Sequence, residues 1–161
     1  MENLKICSAT AADATLILNF ITELARYEKA EHHVHATEKS ILESLFSENA
    51  SAKALICTLD DKPIGYAVYF FNYSTWLGKN GLYLEDLYIS PEVRNCGAGQ
   101  FVLHHLAKLA VVNNCGRFEW CVLDWNEPAI KFYEKIGAEP QKEWVIYRLA
   151  GEALTSFAKS S

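Results

Sequence analysis

Apolar positions change their spacing several times along the chain, and each change marks an element. Leu4 to Cys7 reads as a first strand, and Thr10-Ala-Ala-Asp13 resembles a capping box with Asp in place of Glu. Leu16, Ile17, Phe20, Ile21 and Leu24 then recur at helical spacing, so a helix ending near Tyr27 is expected. After a polar segment from Tyr27 to Ala36, a second short helix begins beyond Thr37, with Ile41, Leu42, Leu45 and Phe46 as its buried face. Ala52 to Leu59 and Ile64 to Tyr73 are rich in β-formers, and Asp60-Asp61-Lys62-Pro63 between them is a turn, giving a hairpin. Ser74 to Gly81 leads into an apolar, aromatic-rich central strand, antiparallel to its predecessor and ending at Ser90 and Pro91. A long amphipathic helix opens at about Gly99. Phe118 to Leu123 forms a further strand, Glu127 to Ile136 a helix closed by Gly137, and Trp144 to Leu149 a last strand. The expected class is α+β or mixed α/β, with a mixed, mostly antiparallel sheet flanked by helices.

Composition narrows the function. The 161 residues make a single domain over 1–161, large enough to bury its core without staples. Half are hydrophobic, yet no run approaches membrane-spanning length, and the start, MENLKICSATAADA, has no basic flank with an apolar core. A soluble, cytoplasmic protein with no membrane partner is expected. The five cysteines are odd in number and dispersed, with no Cys-x-x-Cys, which argues against a disulfide framework and a zinc site. Glu28, Glu31, His32, His33 and His35 lack a distant Cys or Asp partner pattern, so they read as a solvated loop and no metal is expected. A net charge of -5 gives no support to nucleic-acid binding and favours a cationic small molecule.

Four stretches carry candidate chemistry. Between the central strand and the long helix lies Arg94-x-x-Gly97-x-Gly99, with Asn95 tolerant of positive φ. A helix N-terminus after a glycine-bearing loop can hold a phosphate, because the first-turn amides have no partners and carry the positive end of the dipole. The loop lacks the Gly-Lys-Ser/Thr of a nucleotide P-loop and the full Gly-x-Gly-x-x-Gly of a dinucleotide fold. Within the central strand, Glu85-Asp86 puts two carboxylates where charge is rarely buried unpaired. By alternation Glu85 shares a face with Tyr83 and Leu87, and Asp86 with Leu84 and Tyr88, so only one faces a given cleft unless a bulge intervenes. In Asp124 to Tyr133, Pro128 suits a first helical turn and Asn126 its cap. On spacing alone Tyr133 is an amphipathic core tyrosine. Tyr27-Glu28 at the end of the first helix sets an aromatic face beside a carboxylate, a combination suited to a cation.

The strings LYLEDLYI, Arg94 to Gly99, WNEPAIKFYEKIGA, ELARYEKAE and ATEKSILE are similar, at corresponding places, to the GNAT superfamily. The likeness is to its spermidine/spermine acetyltransferase branch, which includes the thialysine acetyltransferases, and it covers nearly the whole chain. The resemblance implies a sheet splayed between its two central strands, with acetyl-CoA in the gap. It puts Leu87, Tyr88 and Ile89 against the pantetheine, and Arg94, Asn95, Cys96, Gly97, Ala98, Gly99 and Gln100 around the pyrophosphate. Asn126 lines the cofactor side. Tyr133 takes the role of general acid and Glu85 that of base, acting directly or through water. Tyr27, Glu28, Glu85 and Glu143 face the amine substrate. The reaction implied is direct attack by a small primary amine, a polyamine or a thialysine- or lysine-like amino acid, in a ternary complex without an acyl-enzyme. A homodimer is implied as well, with Trp144 to Ala158 as candidate contact. The rivals are acetylation of a protein N-terminus, a protein lysine or an aminoglycoside, and a catalytically silent CoA-binding module.

Overall fold

In a computed structural model that describes residues 3–93 and 96–159, five strands build one sheet. Strand β1 (Leu4–Ser8) pairs antiparallel with β2 (Ala52–Leu59), β2 with β3 (Lys62–Ser74), and β3 with β4 (Lys79–Ile89). The last strand, β5 (Phe118–Trp120), lies parallel to β4, so the sheet is mixed and mostly antiparallel. Five helices accompany it: α1 (Ala14–Tyr27), α2 (Glu38–Leu45), α3 (Ala98–Val112), α4 (Glu127–Lys135) and α5 (Gly151–Lys159). The chain forms two compact units, Met1–Cys121 and Val122–Ser161. None of the described helices is long and apolar enough to cross a membrane.

Local chemistry explains the early boundaries. The Thr10 amide donates to Asp13 Oδ2 at 2.7 Å, which satisfies an N–H that the start of the helix would otherwise leave without a partner. Helix α1 then buries Ala14, Ile17 and Phe20 and stops at Tyr27. At α2 the Ser40 amide donates to Thr37 Oγ1 at 3.1 Å, and the Thr37 amide donates back to Ser40 Oγ at 2.9 Å. Ile41 of α2 is buried but Leu42 is exposed, contrary to the four-residue face expected. One residue along a helix is a rotation of about 100°, and that step takes Leu42 away from the core. The β2–β3 turn is tighter than expected: Leu59 pairs with Lys62, and Asp60 and Asp61 carry φ of 48° and 62°. Two consecutive positive φ values match the twist of flanking strands in a two-residue hairpin.

The two faces of the sheet are filled from different helices. Tyr66, Tyr88, Ala54 and Ile56 join Ala14, Ile17 and Phe20 of α1 and Ile41 of α2 in one apolar cluster. The intervening Leu55, Cys57 and Ala67 are also buried and turn to the opposite face, where α3 supplies Val102, Leu103 and Leu106. Alternation is interrupted once in β4. Val68 pairs with Asp86 and Tyr69 with Leu84, so β4 advances two residues while β3 advances one, and Glu85 is the inserted residue of a bulge. The expected face-sharing of Leu84 with Asp86 is therefore wrong. The bulge moves Leu84 into the series of Tyr69 and Ala67, and Tyr83, opposite Phe70, into that of Asp86 and Tyr66.

Strand β5 ends at Trp120, short of the expected Leu123. Its ladder with β4 covers three pairs, from Leu82–Phe118 to Leu84–Trp120, and stops where the bulge bends β4, while β4 runs on to Ile89. In the second unit α4 and α5 form as helices, but Trp144 to Leu149 is not a strand. Its β-branched and aromatic residues favour extended backbone, yet a strand needs a ladder partner, and none of the described ladders includes this stretch. Tyr147 within it is 95% exposed.

Candidate active site

Beside the bulge in β4, three carboxylates bear on one phenol. Tyr66, fully buried on β3, donates its hydroxyl to Asp86 Oδ2 at 2.8 Å. Its ring stacks on Phe20 of α1 with centroids 5.8 Å apart and planes 13° from parallel. Tyr88 takes another side of Phe20, at 5.7 Å. Glu28 follows the last residue of α1, where its carboxylate feels the charge of Asp86. Both carboxyls titrate above their ordinary range. For Glu28 the causes are burial first and then the Asp86 charge; for Asp86 burial raises the value, and the Tyr66 hydrogen bond opposes the rise. The Tyr66 phenol is held far above its usual pKa by burial, then by Asp86, Glu28 and Glu85, so it stays a donor at any working pH. Glu85 itself is exposed, and Tyr27 half-exposed at the end of α1. The structure thus sets the predicted Glu28 and Glu85 both in the field of the Tyr66 phenol, gives Asp86, singled out in the sequence without a site role, its hydrogen-bond partner, and adds Tyr66, which no site expectation included.

Downstream, β4 passes through Leu87, Tyr88 and Ile89 to a short helical turn at Pro91–Val93. Arg94 and Asn95 lie outside the described residues. Cys96 is half-buried, and Gly97 caps α3 with φ 83°. That left-handed backbone accounts for Gly97. Gly99 is different: a Cβ there would meet nothing within 4 Å, so packing within the protein does not demand a glycine. The first helical bond back is from the Phe101 amide to the Gly97 carbonyl, at 2.9 Å. The amides of Ala98, Gly99 and Gln100 precede it, in the first turn, where a helix offers no acceptor of its own. Open space before a row of amides and the positive end of a helix of 15 residues fits a phosphate group.

The remaining expected residues belong to the second unit. Asn126 caps α4, where its carbonyl accepts from the Ile130 amide at 3.0 Å. Tyr133 is half-buried two turns further along, its ring 5.7 Å from that of Phe132. Seven residues of helix put Asn126 and Tyr133 on one side of α4. Glu143 is exposed in the irregular stretch after α4. Elsewhere, the His32 and His33 rings lie 4.0 Å apart, tilted by 43°, and are exposed. Among the described residues no group of three or more His, Cys, Asp or Glu gathers around a metal-sized space.

A family model described as the acetyltransferase (GNAT) family matches residues 17–138, three quarters of the chain. The chain belongs to the GNAT acetyltransferase family. A thialysine N-epsilon-acetyltransferase of Sus scrofa is 36% identical to this GNAT acetyltransferase over 169 residues, spanning 98% of this chain and 99% of the relative. An L-ornithine N5-acetyltransferase of Arabidopsis thaliana is 30% identical over 200 residues, spanning 96% of this chain and 88% of the relative. Among solved structures, an integron cassette protein from the mobile metagenome of V. cholerae is similar at a TM-score of 0.82 and 29% identity, covering 98% of each chain. The α+β architecture expected from the strand and helix pattern is thus that of GNAT acetyltransferases. The residue missed at the site is Tyr66, and the role missed is that of Asp86; their one signal in the chain was a second carboxylate beside Glu85 inside an otherwise apolar strand.

Proposed function

We propose that this acetyltransferase moves the acetyl group of acetyl-CoA to the primary amine of a small dibasic molecule, a thialysine- or lysine-like amino acid or a polyamine. The observation that carries the reading is the open start of α3 directly after the bulged β4: an unobstructed Gly99, first-turn amides, and carboxylates one strand-length upstream. Acetyl-CoA would be held by the amides of Ala98, Gly99 and Gln100 at its pyrophosphate and by the backbone of Leu87, Tyr88 and Ile89 along its pantetheine, and it supplies an activated thioester. Arg94, Asn95, Cys96 and Gly97 complete the phosphate loop in this reading, and Asn126 lines the cofactor side.

The acceptor must lose a proton before it attacks. An amine of pKa about 10.4 lies about 3.4 units from neutrality at pH 7, or roughly 4.6 kcal/mol. Glu85 takes that proton, directly or through water, while the negative field of Glu28 and Asp86 favours a cationic substrate next to Tyr27. The Leu87 amide polarises the reacting carbonyl, and Tyr133 donates to the departing thiolate. No acyl-enzyme forms; acetyl passes within a ternary complex. Two relatives named for amino acids with a second amine, thialysine and ornithine, support the dibasic substrate class.

The test is thiol release from acetyl-CoA with thialysine, ornithine, lysine, spermidine, spermine, putrescine, an aminoglycoside and a lysine peptide, each product weighed by mass spectrometry. A small dibasic amine turned over with by far the highest kcat/KM is the expected result. Preference for the peptide or the aminoglycoside overturns the substrate class, and no turnover despite acetyl-CoA binding favours a silent module. Tyr133→Phe separates those cases further: kcat falls about 100-fold or more with acetyl-CoA affinity kept.

A homodimer is part of the same proposal. Trp144, Val145, Ile146, Tyr147 and Phe157 are mostly exposed in the second unit, an apolar display suited to burial against a second copy. Sedimentation at micromolar concentration checks it, and a monomer there refutes it.

A further inference from the structure

We propose that Tyr66 is a positioning residue that keeps Asp86, rather than Glu28, as the first anion beside Glu85, and thereby sets the acid side of the pH profile for amine turnover. The inference rests on the amine acetylation proposed above and adds to it a residue two layers removed from the substrate. Tyr66 from β3 and Glu28 from the end of α1 face Asp86, and Glu85, its neighbour on β4, bears on the Tyr66 phenol. Two half-buried carboxylates in each other's field do not ionise together at the same cost as one; the second charge is opposed by the first. Burial raises both carboxyls, and the one hydrogen-bond donor acts on Asp86 alone, because a phenol O–H stabilises the anion it points at.

The geometry assigns that choice to Asp86. The Tyr66 hydroxyl reaches Asp86 Oδ2 at 2.8 Å, and the ring beneath it has no freedom to swing toward Glu28: it is fully buried and stacked on Phe20. The backbone fixes the other partner. Asp86 pairs with Val68, two residues along β3 from Tyr66, on the same face, and the bulge at Glu85 keeps Asp86 on that face as β4 changes phase. An Asp86 anion next to the inserted Glu85 attracts the substrate ammonium at a pH where Glu28 still carries its proton.

Removing only the hydroxyl tests this. In Tyr66→Phe the Asp86 proton leaves at higher pH, so the acid limb of kcat/KM should move up by about one to two pH units, with the basic limb unmoved. Activity lost at pH 6 should return as pH rises, which a generally loosened core would not permit. In an Asp86→Asn background, Tyr66→Phe should no longer move the acid limb. Superimposable profiles for wild type and Tyr66→Phe overturn the proposal. A second measurement needs neither turnover nor a folded variant: carboxyl carbon NMR of the wild-type protein, with Asp86 and Glu28 assigned, should show Asp86 ionising before Glu28, and the reverse order overturns the proposal. Should wild type turn over no amine, the functional reading fails while the NMR order still decides the role of Tyr66.

Discussion

Two carboxylates sit on the same sheet about a strand apart, and they are satisfied in opposite ways. Glu119 on β5 meets the Arg117 guanidinium at 2.8 Å and the Asn72 amide at 3.4 Å. Asp86 on β4 meets the Tyr66 phenol at 2.8 Å, and the further groups pressing on this cluster are the carboxylates Glu28 and Glu85. A carboxylate that serves the fold brings its own cation; one kept among like charges with a neutral donor is left to be matched by something that arrives. In the proposed function that difference assigns the cationic substrate to the Asp86 end of the β3–β4 pair, and leaves the Arg117–Glu119 pair to the fold.

The largest break in the comparison should come from the inserted residue. Glu85→Gln should lower kcat by about 10²-fold or more, while Glu119→Gln leaves kcat within about twofold. Steady-state kinetics on the preferred amine decides, and a wild-type kcat for Glu85→Gln removes Glu85 from the chemistry. Next in size is a stability effect of opposite sign at the two ends. Because the folded-state pKa of Asp86 is raised, the fold holds that proton more tightly than the unfolded chain does. Its contribution is therefore favourable at acid pH and is lost as pH rises through the folded value. Asp86→Asn, which keeps an acceptor for Tyr66, should raise Tm at pH 7 by roughly 2–4 °C, about 1 kcal/mol, and leave it nearly unchanged near pH 4. A fall in Tm at pH 7 contradicts the account of Asp86 as a carboxyl whose ionisation burial opposes. The smallest effect belongs to Glu119→Gln. The Arg117 and Glu119 side chains are 38% and 34% exposed, so solvent screens the pair, and its loss costs at most about 1 kcal/mol. Thermal melts in low and high salt should show that cost shrinking as salt rises.

What could be read from the chain beforehand was what neighbours in sequence decide. Thr10 and Asp13 announce α1, the spacing of Ile17 and Phe20 gives its buried side, and Asp60-Asp61 announces a turn. Glycine spacing likewise marked the start of α3 to within a residue. What stayed hidden depends on partners far along the chain. The bulge at Glu85 exists only relative to the register of β3, and Tyr66 and Asp86 are 20 residues apart. Propensity misled for Trp144 to Leu149, where residues that favour strands have no ladder to join, and for Leu42, which lies just beyond the buried stripe of α2. Residue chemistry singled out Glu28 and Glu85 and the family likeness supplied their roles and that of Tyr133, but Tyr66, in a strand of apolar residues, reads as core until its hydroxyl is traced.

The two glycines before and within the first turn of α3 are indistinguishable as letters, yet the fold constrains them differently. Gly97 is held by its left-handed φ of 83°, and any L-residue there pays on the order of 1 kcal/mol in the folded chain. Gly99 faces open space. In a library randomised at both positions, a screen for protein abundance would purge variants at 97 and pass most at 99, whereas a screen for acetyl transfer would purge both. Comparing the two screens would read out, codon by codon, which part of the loop evolution keeps for the chain and which it keeps for the guest.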